Sequence, residues 1–179
     1  HEIKFLDGLP SLKEIKQLAF LSATSVQLRG DFSKLEIIGE TSFKLTGHVS
    51  ISECTFSGLK KIEKEAFEDA GKIDGDSLLD FGELSALQTI EADAFSGIIG
   101  VLKITLWLSL EEVGDHAFAG ATNAGNEIKF ESLPLLETVQ ENVFQDTVGA
   151  TVTGCFLSFN PALNEDNTPN SRISDFKDT

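Results

Sequence analysis

The chain has no methionine and no tyrosine, only two cysteines and one tryptophan, and 14 basic residues against 29 acidic ones in 179. Each shortage excludes something. A chain without methionine is not a whole translation product, so His1 is expected to follow a cleavage, with removal of a secretory signal the expected cause. Without a Cys-x-x-Cys, a His-x-x-x-His or any Cys/His cluster, structural zinc has no ligand set. A net charge of −15 repels a phosphate backbone along most of the surface, which argues against nucleic-acid binding. No run reaches the roughly 20 apolar residues of a membrane span; the most apolar stretch, Ser96 to Leu110, is broken by Lys103 and two glycines. No Asn-x-Ser/Thr acceptor occurs, because Asn167 and Asn170 both miss the third position, and N-glycans are not expected.

What is present is a repeat. The template L-x-x-[I/V]-x-x-x-x-F recurs six times, at Leu12, Ile15, Phe20; Leu35, Ile38, Phe43; Leu59, Ile62, Phe67; Leu87, Ile90, Phe95; Leu110, Val113, Phe118; and Leu136, Val139, Phe144. Spacing within each copy is constant, while successive Phe residues lie 23, 24, 28, 23 and 26 apart, so length varies only between templates. A small or β-branched residue precedes each Phe (Ala19, Ser42, Ala66, Ala94, Ala117, Val143), which suits a short turn or single helical turn with the Phe plugging the interior. Upstream of each Leu lies a short alternating segment: Ile3 to Phe5, Val26 to Leu28, Val49 to Ile51, Leu79 to Phe81, Leu102 to Ile104 and Ile128 to Phe130, with a seventh at Val152 to Gly154. Period two with β-branched and aromatic residues predicts strands.

No such unit can bury its apolar side alone, so neighbours must stack. The expected fold is an α/β solenoid of six to seven strand-turn units, its strands about 4.8 Å apart in one parallel sheet on one face, with Leu, Ile/Val and Phe ladders inside. The solenoid with a C-terminal cap is expected over residues 1–163, with Phe156 and Phe159 covering the last unit and a polar, flexible tail over 164–179.

The L-x-x-I-x-x-x-A-F unit behind a short strand resembles the leucine-rich repeat superfamily, in the variant of BspA-like surface proteins and of many secreted arthropod proteins. The likeness runs from Ile3 to about Leu157. It implies a parallel-sheet solenoid, an extracellular or surface setting and a role in protein interaction. The chain departs from the common pattern in lacking the Asn after the strand, where Gly30, Ser52 or Thr105 stands, and in having no cysteine-rich cap. Cys54 and Cys155 fall four repeats apart, roughly 19 Å at strand spacing, beyond the about 7 Å that a disulfide spans; they are read as buried thiols, with an intermolecular bridge through Cys155 as the alternative.

No reaction is written in the residues. There is no nucleophile elbow, no phosphate or dinucleotide glycine loop, and no Cys/His cluster. His1 lacks the second histidine of a copper brace, while His48 and His116 are expected to face solvent. Asp74, Asp76 and Asp80 lack calcium-loop spacing, and the other carboxylates, such as Glu63, Glu65, Asp93 and Asp115, read as a solvated face. The protein is therefore expected to be no enzyme and to need no cofactor or metal.

Two surfaces remain. Alternation turns Lys4, Gln27, Ser50, Asp80, Lys103, Lys129 and Thr153 onto the open face of the sheet, where three lysines in seven make that face less negative than the back and suited to a protein or an acidic glycan. Apolar residues beyond the template (Leu6, Leu21, Leu45, Ile98, Ile99, Trp107, Leu108, Leu135) suggest a second feature: with Leu102, Ile104 and Leu106 inward, Trp107 turns outward beside Leu108 as an apolar patch. The first surface predicts a secreted recognition or scaffold module with a protein partner or an oligomer. The second predicts a carrier, holding an apolar small molecule such as a lipid or carotenoid-like pigment at a chain interface. A weaker likeness, to the repeat-containing subunit of crustacean luciferin monooxygenase, implies a non-catalytic companion chain.

Overall fold

The computed structural model describes residues 2–72, 77–105, 108–121, 127–130, 135–140, 142–147 and 151–154; in the strands at 2–7, 127–130 and 151–154 the description is of the backbone. Strands alternate long and short along the chain. They run β1 (Glu2–Asp7), β2 (Glu14–Ile15), β3 (Ser25–Asp31), β4 (Ile37–Ile38), β5 (His48–Thr55), β6 (Lys61–Ile62) and β7 (Leu78–Glu83). They continue with β8 (Thr89–Ile90), β9 (Val101–Thr105), β10 (Glu112–Val113), β11 (Glu127–Phe130), β12 (Thr138–Val139) and β13 (Thr151–Gly154).

The odd-numbered strands form one seven-stranded parallel sheet in chain order, and the even-numbered ones form a second, six-stranded parallel sheet. This is the stacked solenoid that the repeat predicts, and each alternating segment is a strand of the long sheet. Along β3, β5, β7 and β9 every second residue is buried: Val26 and Leu28, Val49 and Ile51, Leu79 and Phe81, Leu102 and Ile104. The short sheet was not anticipated. It forms because the template Ile or Val must point inward, which leaves its backbone extended and able to pair with the same position of the coil before and after.

The third side of each coil consists of turns, and no helix occurs among the described residues. The α component of the expected α/β label therefore has no element behind it. Its absence has a local cause: two residues per coil adopt left-handed φ. One follows the template Ile or Val by three positions: Leu18, Thr41, Glu65, Asp93, His116 and Asn142. The other follows the Phe by two: Ser22, Leu45, Asp69, Gly97, Gly120 and Asp146. A left-handed residue every four positions cannot belong to a right-handed helix. Instead each is the third residue of a turn, the position that calls for positive φ in type II turns, as where the Ala19 N–H donates to Lys16 and the Ala23 N–H to Phe20. The freed amides bond to the next coil: Leu18 to Glu40, Phe20 to Ser42 and Ser22 to Lys44. Backbone ladders thus close all three sides.

Inside, the six template Phe residues form one continuous column. Successive ring centroids are 4.9, 4.7, 5.3, 5.3 and 5.5 Å apart from Phe20 to Phe144, close to the strand spacing that the backbone dictates. The four inner rings are fully buried, as are Leu35, Leu59, Leu87 and Leu110. Such offset-stacked pairs each contribute about 0.5–1.5 kcal/mol beyond their buried area. A second aromatic file runs beside the first: Phe32 lies 5.7 Å from Phe56, Phe56 5.6 Å from Phe81, and Phe81 meets Phe67 and Phe95 edge-on.

Small features hold the coils in register. The Thr46 hydroxyl donates to the Phe20 carbonyl and the Thr147 hydroxyl to the Phe118 carbonyl, one coil back in each case. Where the residue after the template Ile has a long polar side chain, that side chain accepts a backbone N–H of the preceding coil: Glu63 from Glu40, Glu91 from Lys64, and Gln140 from Asp115. At two copies this residue is Gly39 or Gly114, where a Cβ would come within 2.7 or 2.4 Å of the neighbouring coil's backbone. The expected cap and tail lie outside the described residues.

Candidate functional site

On the open face of the long sheet the outward residues are Ser25, Gln27 and Arg29 of β3, His48, Ser50 and Ser52 of β5, Leu78 and Asp80 of β7, and Val101, Lys103 and Thr105 of β9. All are half-buried save Arg29, which is exposed. Most of these side chains are uncharged. Arg29 is paired with Glu53. Asp80 accepts a hydrogen bond from the Gly82 N–H at 3.1 Å.

Of the seven residues that alternation selects, Gln27, Ser50, Asp80 and Lys103 share this face, while for Lys4, Lys129 and Thr153 only the backbone register is described, and the seven do not form one row. Gln27 pairs with Ser50 across β3 and β5. Ser50 then stands opposite Leu78, not Asp80. Asp80 pairs with Lys103, Lys103 with Glu127, and Lys129 with Thr153. Lys4 falls in the irregular stretch of β1 between Ile3 and Leu6. The row is broken by the offset between β5 and β7; the bulges lie beyond the selected residues, in β5 between Ile51 and Cys54, with Glu53 at φ 54°, and in β7 between Asp80 and Gly82, with Gly82 at φ 59°. The result is three pairs, with Lys103 between two carboxylate-bearing register positions.

The other two sides carry charge in compensated pairs. Glu36 meets Lys60 at 2.8 Å and Lys61 meets Glu91 at 2.7 Å. Lys44 sits between Glu65 and Glu68, 2.6 Å from each, and Lys64 reaches Glu65 at 3.2 Å. Those two carboxylates hold the Lys44 ammonium well above its ordinary range, and the hydrogen bond from Lys44 lowers the Glu65 carboxyl. The carboxylates expected to form one solvated face are thus largely tied up with lysines of neighbouring coils in the first half of the chain.

Other predicted positions are distributed as follows. Leu108 is exposed and Ile98 is buried, while Trp107, His1, Asp74, Asp76 and Cys155 lie outside the described residues. Cys54 is half-buried on β5, its thiol directed to the Ser52 carbonyl at 3.5 Å and pushed up to about 11, first by burial. His116 hydrogen-bonds Gln145 and approaches Asp115 at 3.0 Å. Among the described residues no three His, Cys, Asp or Glu side chains gather as a metal ion would need, and no helix is long and apolar enough to cross a membrane.

The template also has an unread position. Every copy places an apolar residue three before its Leu: Leu9, Phe32, Phe56, Leu84, Trp107 and Leu133. Phe32, Phe56 and Leu84 are fully or almost fully buried. Leu9, at the same position of the first copy, is exposed, and Trp107 and Leu133 lie outside the described residues.

A three-sided parallel coil with ladders of Leu, Ile and Phe defines a repeat solenoid, an architecture that serves as a binding scaffold through its extended faces. The model of the BspA-type leucine-rich repeat region, six copies long, matches residues 2–74 and 77–151. The chain belongs to this family. No curated protein and no solved structure matches it.

Proposed function

We propose that this chain is a secreted, non-enzymatic repeat module that recognises another protein through the open face of its long sheet. The observation that carries the reading is the contrast between faces: the short-sheet side and the turn side around Lys44 carry a series of ion pairs, whereas Ser25, Gln27, Ser50, Leu78 and Val101 leave the described part of the open face sparsely charged. Such a surface loses little solvation on docking. Asp80 and Lys103, opposite each other in register, place one charge of each sign on it, a means of fixing a partner's register.

The test is substitution by face. With the partner isolated from the protein's own source, Gln27→Arg and Lys103→Glu on the open face are expected to weaken the complex at least tenfold, while Lys60→Glu on the short-sheet side leaves it within about twofold. Equal loss from both faces would refute this placement.

A carrier role for an apolar small molecule rests on the exposed Leu108. Its direct check is the absorption spectrum of the natively purified protein, since one Trp and no Tyr leave the visible region clear; a visible band supports the carrier and a colourless protein removes the pigment reading.

A further inference from the structure

Leu18, Leu21 and Leu45 are exposed on the turn side of the first two coils, with 52%, 42% and 46% of their surface in solvent. They belong together in space: the Leu21 N–H donates to the Leu18 carbonyl, and Ser22, next to Leu21, bonds to Lys44, next to Leu45, in the following coil. Two of the three also occupy left-handed backbone positions, Leu18 at φ 63° and Leu45 at φ 57°. The other ten residues at these recurring positions are Thr, Glu, Asp, His, Asn, Ser and Gly, types that tolerate positive φ better or gain from solvent. Leucine is disfavoured there twice, by its backbone and by its exposure. The other exposed leucines, Leu9, Leu108 and Leu135, precede the template Leu by three, two and one positions and have ordinary φ.

Charge selects the occupant. Residues 1–72 contain ten basic and eleven acidic side chains, net −1, whereas residues 73–179 contain four basic and eighteen acidic, net −14. Lys44, beside Leu45, is neutralised by Glu65 and Glu68, and Gln17, beside Leu18, is bound to Glu40 at 2.8 Å. A surface joining two chains here brings together their near-neutral parts and keeps the acidic ones apart. Contact between the second halves is opposed by like charge. A bilayer is a poorer match, because the patch has no exposed aromatic residue of the kind that settles at a membrane interface.

We propose that the Leu18, Leu21 and Leu45 patch docks against the same patch of a second copy of this chain, forming a weak two-fold dimer through the turn side of its first two coils. The three leucines bury less than a standard interface does, so the dimer is concentration-dependent. Its contact is apolar and the long-range force between the chains is repulsive, so it tightens as salt screens that repulsion.

Sedimentation equilibrium of the full chain, with circular dichroism as a check of fold, tests this. The wild type is expected to shift from monomer to dimer with concentration, and more readily in high NaCl. Leu18→Asn with Leu45→Asn is expected to weaken association at least tenfold while the fold stays intact, because Asn accepts positive φ. Leu135→Ser is expected to leave association unchanged. A wild type that stays monomeric at millimolar concentration, a double variant that still dimerises, or association that weakens with salt would each overturn the proposal. So would vesicles of neutral phosphatidylcholine binding the monomer through these leucines.

Discussion

The rings of Phe43 and Phe67 lie 4.7 Å apart and within 7° of parallel, one coil above the other. Each is fully buried, and each is an inner member of a six-ring column, so a single ring supports the coils on both sides. Phe67→Ala removes two stacked pairs and opens a cavity that the laddered backbone cannot close. The expected loss is about 3–5 kcal/mol. Phe20→Ala, at the half-exposed end of the column, is expected to cost about half as much. Urea unfolding followed by circular dichroism reads both.

Glu91 joins coils in two ways, accepting the Lys64 N–H at 2.9 Å and pairing with Lys61 at 2.7 Å. Glu91→Gln keeps an acceptor for the amide, as Gln140 does in its own coil, and is expected to lose about 0.5 kcal/mol or less. Glu91→Ala loses the acceptor as well and is expected to cost about 1 kcal/mol. Equal effects of the two, measured by thermal unfolding, would show that the amide bond contributes nothing.

The Lys44 group sets a pH dependence. Its hydrogen bond holds the Glu65 carboxyl below the ordinary 4.5, so this contribution to stability is present above that value and is lost as pH falls through the lower folded-state value. Lys44 is held above its ordinary 10.5, so its own contribution persists at neutral pH and is lost only under strong alkali. Lys44→Met is expected to reduce the fall in urea midpoint between about pH 5 and about pH 3. An unchanged slope would place the acid sensitivity elsewhere.

Burial raises the Cys54 thiol from 9.0 to about 11, which lowers its thiolate fraction at pH 8 roughly 100-fold. In a Cys155→Ser chain, reaction with an aromatic disulfide reagent is expected to be slow when folded and fast in urea. Rapid labelling of the folded chain would mean that β5 opens or that the thiol is more exposed than its half-buried position implies.

Trp107 shares the template position of the buried Phe32, Phe56 and Leu84 and of the exposed Leu9, three residues before its Leu. As the single Trp, it reports on itself: emission is expected to be blue-shifted in the folded chain and poorly quenched by acrylamide. Red-shifted, freely quenched emission would favour the outward orientation that strand alternation predicts, and with it the apolar patch beside Leu108.

Much of the architecture is local and was therefore legible in the residues. The spacing of Leu12, Ile15 and Phe20, repeated five more times, determined that units stack, that Val26 and Leu28 or Leu102 and Ile104 face inward, and that Phe rings form a column, because apolar periodicity is set by which side chains must leave water together. The family likeness followed from the same positions. Other features were decided only between coils. That the turn side is not helical follows from the pairs of left-handed residues such as Leu18 and Ser22, whose amides are satisfied by the next coil. The short sheet exists because six inward Ile or Val positions come side by side. On the open face the offset between β5 and β7 sets Ser50 opposite Leu78 and so takes Asp80 and Lys103 out of line with it, and Glu63 or Lys44 found partners 21 to 23 residues away. Composition and period act within one unit of chain, whereas register and charge pairing are properties of the stack, and it is the stack that decides which outward residues share a surface.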